Sequence, residues 1–315
     1  MKVACIGAGT IGRSWALLFA LRGYEVTLHD ISDDILNDAV GMIRTYLSML
    51  CEEEVIGRES ANKVMERIKT STSIRRAVTG AGYVQESVFE DLNLKKGVFK
   101  EVDEYVAPDA ILASSTSGLP MSKIQSELKH PDRCIIVHPI NPPHLIPLVE
   151  IVPGWKTSVE TINRTVELMF KLGKVPVVIK KEIPGFIFNR LAAALWREAL
   201  NILNNDVATV EDVDKVVTAG LGLRWAIMGP FLTYHIGGGK GGLKYFIDHL
   251  GKAFSEWWKT MEAWTVIPDS AVKKAIAETG ELSIIKDKTI DEVLEWRDRR
   301  LVKILKLLYP QSISF

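Results

Sequence analysis

The sequence predicts an α/β protein, a doubly wound and mostly parallel sheet followed by an all-helical C-terminal part. Three observations carry this. Residues 1–30 read as strand, glycine turn, helix, strand and acid. Strand-like and helical runs alternate from there to residue 179. Beyond Pro184-Gly185 almost no strand-like alternation is left. Strands alternating with helices are the pattern of a parallel sheet covered on both faces.

The apolar run 3–6 leads straight into Gly7-Ala8-Gly9-Thr10-Ile11-Gly12. An amphipathic stretch, 13–22, follows and stops at Gly23. A second apolar run, 24–28, ends at His29-Asp30. Each part has a use if a dinucleotide binds here. Gly7 permits the tight turn, Gly9 leaves the backbone open to a pyrophosphate, and Gly12 lets the helix pack closely on the strand. The helix N-terminus, at Thr10 and Ile11, offers free N–H groups and a positive dipole end to the phosphates. Asp30 falls about twenty residues on, where an acid grips the ribose hydroxyls. A glycine turn in some other βαβ unit would leave Asp30 unexplained, so the fingerprint is Rossmann-type. Asp30 also favours NAD over NADP, because its carboxylate repels a 2′-phosphate and no Arg or Lys follows it until Arg44.

The remaining elements follow in order. Residues 33–51 form a long helical pattern. Glu52-Glu53-Glu54 is acidic, and a second helical piece runs to about residue 69. Residues 72–79 read as a short helix, 83–86 as a strand, 93–105 as a helix and 111–114 as a strand. Residues 124–128 read as a short helix, and 134–137 as a strand ending at His138. A strand at 148–152, a helix at 158–172 and a strand at 175–179 complete the sheet. The domain boundary falls near Ile183, giving a dinucleotide domain at 1–183 and a helical domain at 184–315. Helical patterns there cover 186–204, 210–219, 243–261, 270–279 and 289–308. The first is apolar over much of its circumference, and such a helix is buried in a core or against a second copy. The helical domain is expected to form a homodimer through such a face.

Composition narrows the function. Lys plus Arg and Asp plus Glu both number 39, and no long basic tract occurs, which argues against nucleic acid as a partner. No apolar run approaches the length of a bilayer span, so no membrane association is expected. The fingerprint begins at residue 7, which leaves no room for a leader and points to the cytoplasm. Cys5, Cys51 and Cys134 lie far apart without CxxC spacing and read as reduced thiols; no metal site is expected.

Four polar groups sit where a sheet would present them: Ser117, His138, Glu150 and Asn189. Open α/β sheets bind ligands beyond the carboxyl ends of their strands, and Ser117 and His138 fall there. A Ser/Thr cluster after a strand also serves as a turn or an N-cap, and a His before Pro can simply fix a turn. Glu150 is embedded in an apolar strand and needs a cationic or hydrogen-bonding partner, for which His138 is the nearest strand-end candidate.

The runs SSTSGLP, VHPINPP, LVEIV and PGFIFNRL occur in that order, with QESVFEDLNLK before them and GLGLRWAIMGP after. Together they resemble the L-3-hydroxyacyl-CoA dehydrogenase superfamily over essentially the whole chain. The likeness is to the branch that holds lambda-crystallin, the L-gulonate 3-dehydrogenases and the L-carnitine dehydrogenases. The resemblance implies that His138 is the general base and that Glu150 orients it. It implies that Ser117 and Asn189 bind the reacting oxygen, that Glu90 and Lys95 edge the cofactor site, and that Asn141 lies near the nicotinamide. An imidazole suits the base role because its unperturbed pKa is about 6.5. The acyl-CoA enzymes carry two aromatic residues after the histidine, where this chain has Pro139-Ile140. The acids at 52–54 fall where those enzymes clasp CoA and would repel its phosphates.

The implied activity is therefore NAD-dependent oxidation of the 3-hydroxyl of a free L-3-hydroxy acid. L-gulonate leads, with L-carnitine and an L-3-hydroxyacyl-CoA as alternatives. A non-catalytic NAD-binding protein is disfavoured by the joint presence of Ser117, His138, Glu150 and Asn189. Arg224 is the one guanidinium in residues 220–242, and it could bind a substrate carboxylate in bidentate fashion or form a structural ion pair. The glycines at 237–242 suggest a tight turn or a lid. Trp225, Tyr234, Trp257, Trp258 and Trp264 would form core or interface, or else cage a quaternary ammonium.

NAD⁺ is expected to bind at least about tenfold more tightly than NADP⁺, a difference of roughly 1.4 kcal/mol. Asp30→Ala should narrow the gap. Equal affinities in a titration of the wild-type apo protein would overturn this expectation.

Overall fold

The computed structural model describes residues 1–315, which divide into two compact units. The first comprises Met1–Asn189 and Arg297–Phe315, the second Arg190–Trp296.

The first unit is built on eight strands: β1 (Lys2–Ile6), β2 (Glu25–His29), β3 (Ile68–Ser71), β4 (Ala81–Glu86), β5 (Ile111–Ser114), β6 (Cys134–Pro139), β7 (Leu148–Pro153) and β8 (Val175–Val178). Their order across the sheet is β3-β2-β1-β4-β5-β6-β7-β8. Every neighbouring pair is parallel except β6 and β7, which are antiparallel. Val3, Ala4, Cys5 and Ile6 are buried, as a central strand covered on both faces requires. Helix α1 (Thr10–Leu21) follows β1 and is buried from Ser14 to Leu21. It is trapped beneath α2 (Asp33–Glu52), whose Leu36, Ala39, Ile43, Leu47 and Leu50 recur at helical spacing on one face. The Ser32 hydroxyl caps α2 by accepting from the Ile35 amide.

One element differs from the sequence expectation. The chain leaves the helical state at Arg67, and residues 68–71 form an edge strand rather than the end of a helix. Only Val64 of the preceding helix, Arg58–Glu66, is buried, and pairing with β2, Val26 opposite Ile68, overrides weak local propensity. Strand β7 returns antiparallel to β6 across a short connection, which a hairpin allows and a parallel crossover does not.

The expected helical span 184–315 is also divided differently. Val302, Leu305 and Ile313 are buried in the same core as Trp15 and Phe19. Arg22 donates to the carbonyls of Gln311, Ser312 and Ser314, and its guanidinium lies 4.7 Å from the Phe315 ring centroid. Arg299 pairs with Glu52 and Glu53, so these two acids are ion-paired rather than a free anionic patch.

The second unit is helical. It holds the bulk of the helix Phe188–Asn204, then Val210–Val216, a π-helical turn at Val217–Leu221, Gly222–Trp225, Pro230–Gly237, Gly242–Thr260 and Asp269–Gly280. The helix Pro230–Gly237 falls in a segment without a clear helical reading; Pro230 opens it, where its missing N–H costs nothing. The glycines at 237–242 make a tight turn between two helices: a Cβ on Gly238 would stand 1.9 Å from the Gly242 carbonyl oxygen. Tyr234 packs on Phe246 and Phe254, and Phe254 on Trp257 and Trp258, in one aromatic cluster. No single helix is long and apolar enough to cross a membrane.

A Cβ at Gly12 would lie 1.8 Å from the Gly7 carbonyl oxygen, so Gly12→Ala must push α1 off β1. Overpacking of this kind costs roughly 1–3 kcal/mol. The variant is expected to melt several degrees below the wild type by calorimetry and to lose dinucleotide binding; an unchanged Tm would overturn this.

Candidate active site

The antiparallel β6–β7 register sets His138 directly opposite Glu150. Side chains so paired share a face and lie within contact distance. His138 Nδ1 and Glu150 Oε2 are 2.9 Å apart, and both residues are buried. The other carboxylate oxygen, Oε1, accepts the backbone N–H groups of Ile187 and Phe188, each at 2.9 Å. These amides are aimed by a left-handed turn, Gly185 at φ 75° and Phe186 at φ 50°, just before the helix Phe188–Asn204. Successive amides presented in this way form an anion-binding nest. A left-handed phenylalanine is strained by about 1–2 kcal/mol. Its ring is fully buried and packs 5.4 Å from the His138 ring, contacts that hold it there.

Burial by itself would raise the Glu150 pKa. The His138 N–H and the amides of Phe188 and Ile187 outweigh it and hold the carboxyl below its usual range. An ionised carboxylate only accepts, so the imidazole proton resides on Nδ1. Nε2 makes no hydrogen bond to the protein and is the basic nitrogen.

His138 lines a cavity of about 420 Å³ together with Ile11, Glu90, Lys95, Ser117, Asn141 and Asn189. Ser117 follows β5 and is tied to Glu90, whose Oε1 accepts from the Thr116 hydroxyl at 2.5 Å, the Ser117 amide at 2.9 Å and the Ser117 hydroxyl at 3.3 Å. Burial opposes ionisation of Glu90, but the Thr116, Lys95 and Ser117 contacts prevail and lower its pKa. Lys95 Nζ lies 3.4 Å from Glu90 and 2.8 Å from Glu86, a fully buried partner itself bonded by the Ser114 hydroxyl. Asn189 Nδ2 donates to the Ser117 carbonyl at 3.1 Å, which holds the two groups together.

The glycine turn lies at the start of α1. The Asp30 carboxylate, at the end of β2, accepts from the amides of Ala8 and Ile31, each at 2.7 Å. Helix α1 starts at Gly9 without a side-chain cap, so its first amides are unsatisfied. A Cβ on Gly9 would meet nothing within 4 Å, so the space before those amides is open. Open space, free amides and an acid at the next strand end fit a dinucleotide. Arg224 belongs to the second unit, in the short helix Gly222–Trp225 after the π-helical turn, and is exposed. Its guanidinium forms no ion pair or hydrogen bond within the protein, so a structural ion pair has no partner here.

Glu86, Thr116, Phe186 and the amide nest were not evident from the sequence. Glu86 carried one signal, since Gln85-Glu86 ends an otherwise buried strand with two polar side chains. The nest carried none, because its donors are backbone.

Residues 2–183 match the family model for the NAD-binding domain of 3-hydroxyacyl-CoA dehydrogenase, and residues 185–277 match that for its C-terminal domain. The chain is 39% identical to an L-carnitine dehydrogenase of Oceanobacillus iheyensis, with 98% of each chain covered. It is 38% identical to an L-carnitine dehydrogenase of Streptomyces griseus, covering 97% of this chain and 89% of the relative. Among solved structures it resembles 5-formyl-3-hydroxy-2-methylpyridine 4-carboxylic acid 5-dehydrogenase, an NAD⁺-dependent dismutase, at TM-score 0.82 and 27% identity over 98% of both chains. It also resembles 3-hydroxybutyryl-CoA dehydrogenase of Escherichia coli K12, at TM-score 0.70 and 30% identity over 88% of this chain and 56% of that one.

His138→Asn is expected to leave NAD⁺ titration unchanged and to lower kcat by about 10²–10⁴, the usual weight of a general base. Near-full activity in the variant would move the proton to another residue.

Proposed function

The chain belongs to the 3-hydroxyacyl-CoA dehydrogenase family and is an NAD-dependent dehydrogenase; from that premise we propose that it oxidises the 3-hydroxyl of L-carnitine to the 3-keto acid. The observation that carries the substrate is identity of 39% along nearly all of both chains to a relative named for L-carnitine. L-gulonate led the reading of the sequence; the relatives favour carnitine, which stood there as an alternative. Carnitine is a free acid that also bears a quaternary ammonium. Arg224 is an unpaired guanidinium suited to a carboxylate. The rings of Tyr234, Phe246, Phe254, Trp257 and Trp258 are the kind of surface that binds such a cation.

In this reading His138 Nε2 removes the hydroxyl proton. Glu150 fixes the tautomer and stabilises the imidazolium that results. Ser117 and Asn189 hold the reacting oxygen within reach of His138. Asp30 would hold the ribose hydroxyls, and the turn Gly7, Gly9, Thr10, Ile11 and Gly12 would hold the pyrophosphate. Glu90 and Lys95 would edge the cofactor site, and Asn141 would lie near the nicotinamide. NAD⁺, when bound, accepts the hydride from the alcohol carbon.

Three free cysteines, two of them buried, fit a reducing compartment such as the cytoplasm. Leu191, Trp196, Phe231, Ile247 and Trp258 leave apolar surface exposed on the second unit, which supports a homodimer.

A second reading, an acyl-CoA substrate, gains from the pairing of Glu52 and Glu53 with Arg299, which weakens the expected repulsion of CoA phosphates. Pro139-Ile140 still counts against it. NADH formation should be followed for L-carnitine, L-gulonate, L-3-hydroxybutyrate and L-3-hydroxybutyryl-CoA. L-carnitine is expected to give the highest kcat/KM. Arg224→Met should raise its KM about tenfold to a hundredfold, the loss of one charge-assisted contact of roughly 1.5–3 kcal/mol. Faster turnover of the CoA thioester would replace the proposed substrate.

A further inference from the structure

Residues 140–147 join β6 to β7. They carry Asn141 and close the hairpin that pairs His138 with Glu150. Side chains that take no part in the chemistry above hold this connection from inside. The His144 amide donates to Ser14 Oγ of α1 at 3.0 Å, and His144 Nδ1 lies 2.7 Å from the same oxygen. The Tyr46 ring of α2 stacks on the imidazole, with centroids 4.7 Å apart. Lys174, immediately before β8, donates from Nζ to the Ile146 carbonyl at 2.7 Å and to the Pro143 carbonyl. Its ammonium also lies 5.5 Å from the Trp15 ring centroid. Ser14, His144 and Lys174 are all buried.

Packing alone does not call for this chemistry. A buried lysine carries a desolvation penalty that a methionine of similar reach avoids. What the lysine adds is direction, because its donors fix two carbonyls of a connection that has no regular ladder. Burial, with a smaller push from Arg22, lowers Lys174 to about 7. A neutral amine keeps two N–H donors for the two carbonyls, so the grip persists in either form. Burial, then the charges of Lys174 and Arg297, lowers His144 to about 3, so its ring is neutral at working pH.

We propose that Ser14, His144 and Lys174 are positioning residues that lock residues 140–147 onto the dinucleotide-binding helix. The lock holds Asn141 and His138 at a set distance from the cofactor's reacting carbon. Misplacement of reacting groups by about 1 Å can cost up to 10²-fold in rate, whereas dinucleotide affinity rests on the glycine turn and Asp30. The inference rests on the family's dinucleotide chemistry and not on carnitine.

Two variants test it. Lys174→Met keeps the stem and removes the donors. Ser14→Ala removes one oxygen at a helix position where alanine is well tolerated. In both, amide hydrogen exchange over residues 140–147 should quicken by about tenfold or more, while β1 and β4 exchange as in the wild type. NADH, titrated by fluorescence, should bind within about twofold of wild type, and kcat on L-carnitine should fall about tenfold with little change in KM. Unchanged exchange over 140–147 in a folded variant overturns the proposal. So does weakened NADH binding with kcat intact. If Lys174→Met fails to fold, Ser14→Ala alone decides. The exchange and titration arms need no substrate, so a wild type inert toward L-carnitine would remove the proposed substrate while the lock is still judged.

Discussion

The candidate site depends on one cross-strand contact, His138 against Glu150. A carboxylate inside an apolar strand would ordinarily be protonated or destabilising. Here three N–H groups from two directions satisfy it, the imidazole on one oxygen and two helix-leading amides on the other. The contact exists because β7 runs against β6. In a sheet otherwise parallel, that reversal places the two residues in register at adjacent positions. The left-handed turn at Gly185 and Phe186 supplies the remaining donors, and its strain is held by the same ring that covers the imidazole. Sheet topology, helix entry and imidazole tautomer are thus three aspects of one arrangement.

What was legible in the sequence was local. The glycine fingerprint and Asp30 lie within thirty residues and depend on backbone geometry that short patterns encode. The polar strand ends were visible because carboxylates and imidazoles are rare in apolar runs. What was not legible depended on partners distant in sequence. Ile68 to Ser71 form a strand only because β2 is available to pair with. Glu90 acquires its place by gathering Thr116 and Ser117, more than twenty residues on. The direction of β7 leaves no mark in a run of apolar residues, since LVEIV reads alike in either sense.

Charge is distributed in a way that composition conceals. Equal numbers of acids and bases suggest a bland surface, yet several charges are interior: Glu86 with Lys95, Asp103 with Arg133, Lys174 alone among carbonyls. Each sits next to a segment that must hold its shape, the turn after β4, the entry to β6 and the β6–β7 connection. Arg224 is the opposite case, a cation in the second unit left without an internal partner. Pairing where shape matters and an open valence elsewhere is what separates scaffold charges from charges available to a ligand.

The C-terminal stretch Arg297–Phe315 completes the core of the first unit, with Val302, Leu305 and Ile313 packed among residues of β1 and α1. In sequence terms the helical unit is therefore an insertion, entered and left through two helices. This has a consequence for biosynthesis. A ribosome delivers α1 long before residue 302, so the nascent sheet emerges with part of its apolar surface uncovered and stays so until residues 302–313 have followed. The second unit can gather its own contacts while the first is still waiting. Vectorial synthesis thus makes the unit that begins the chain the one whose last core contacts are made after the inserted unit has emerged.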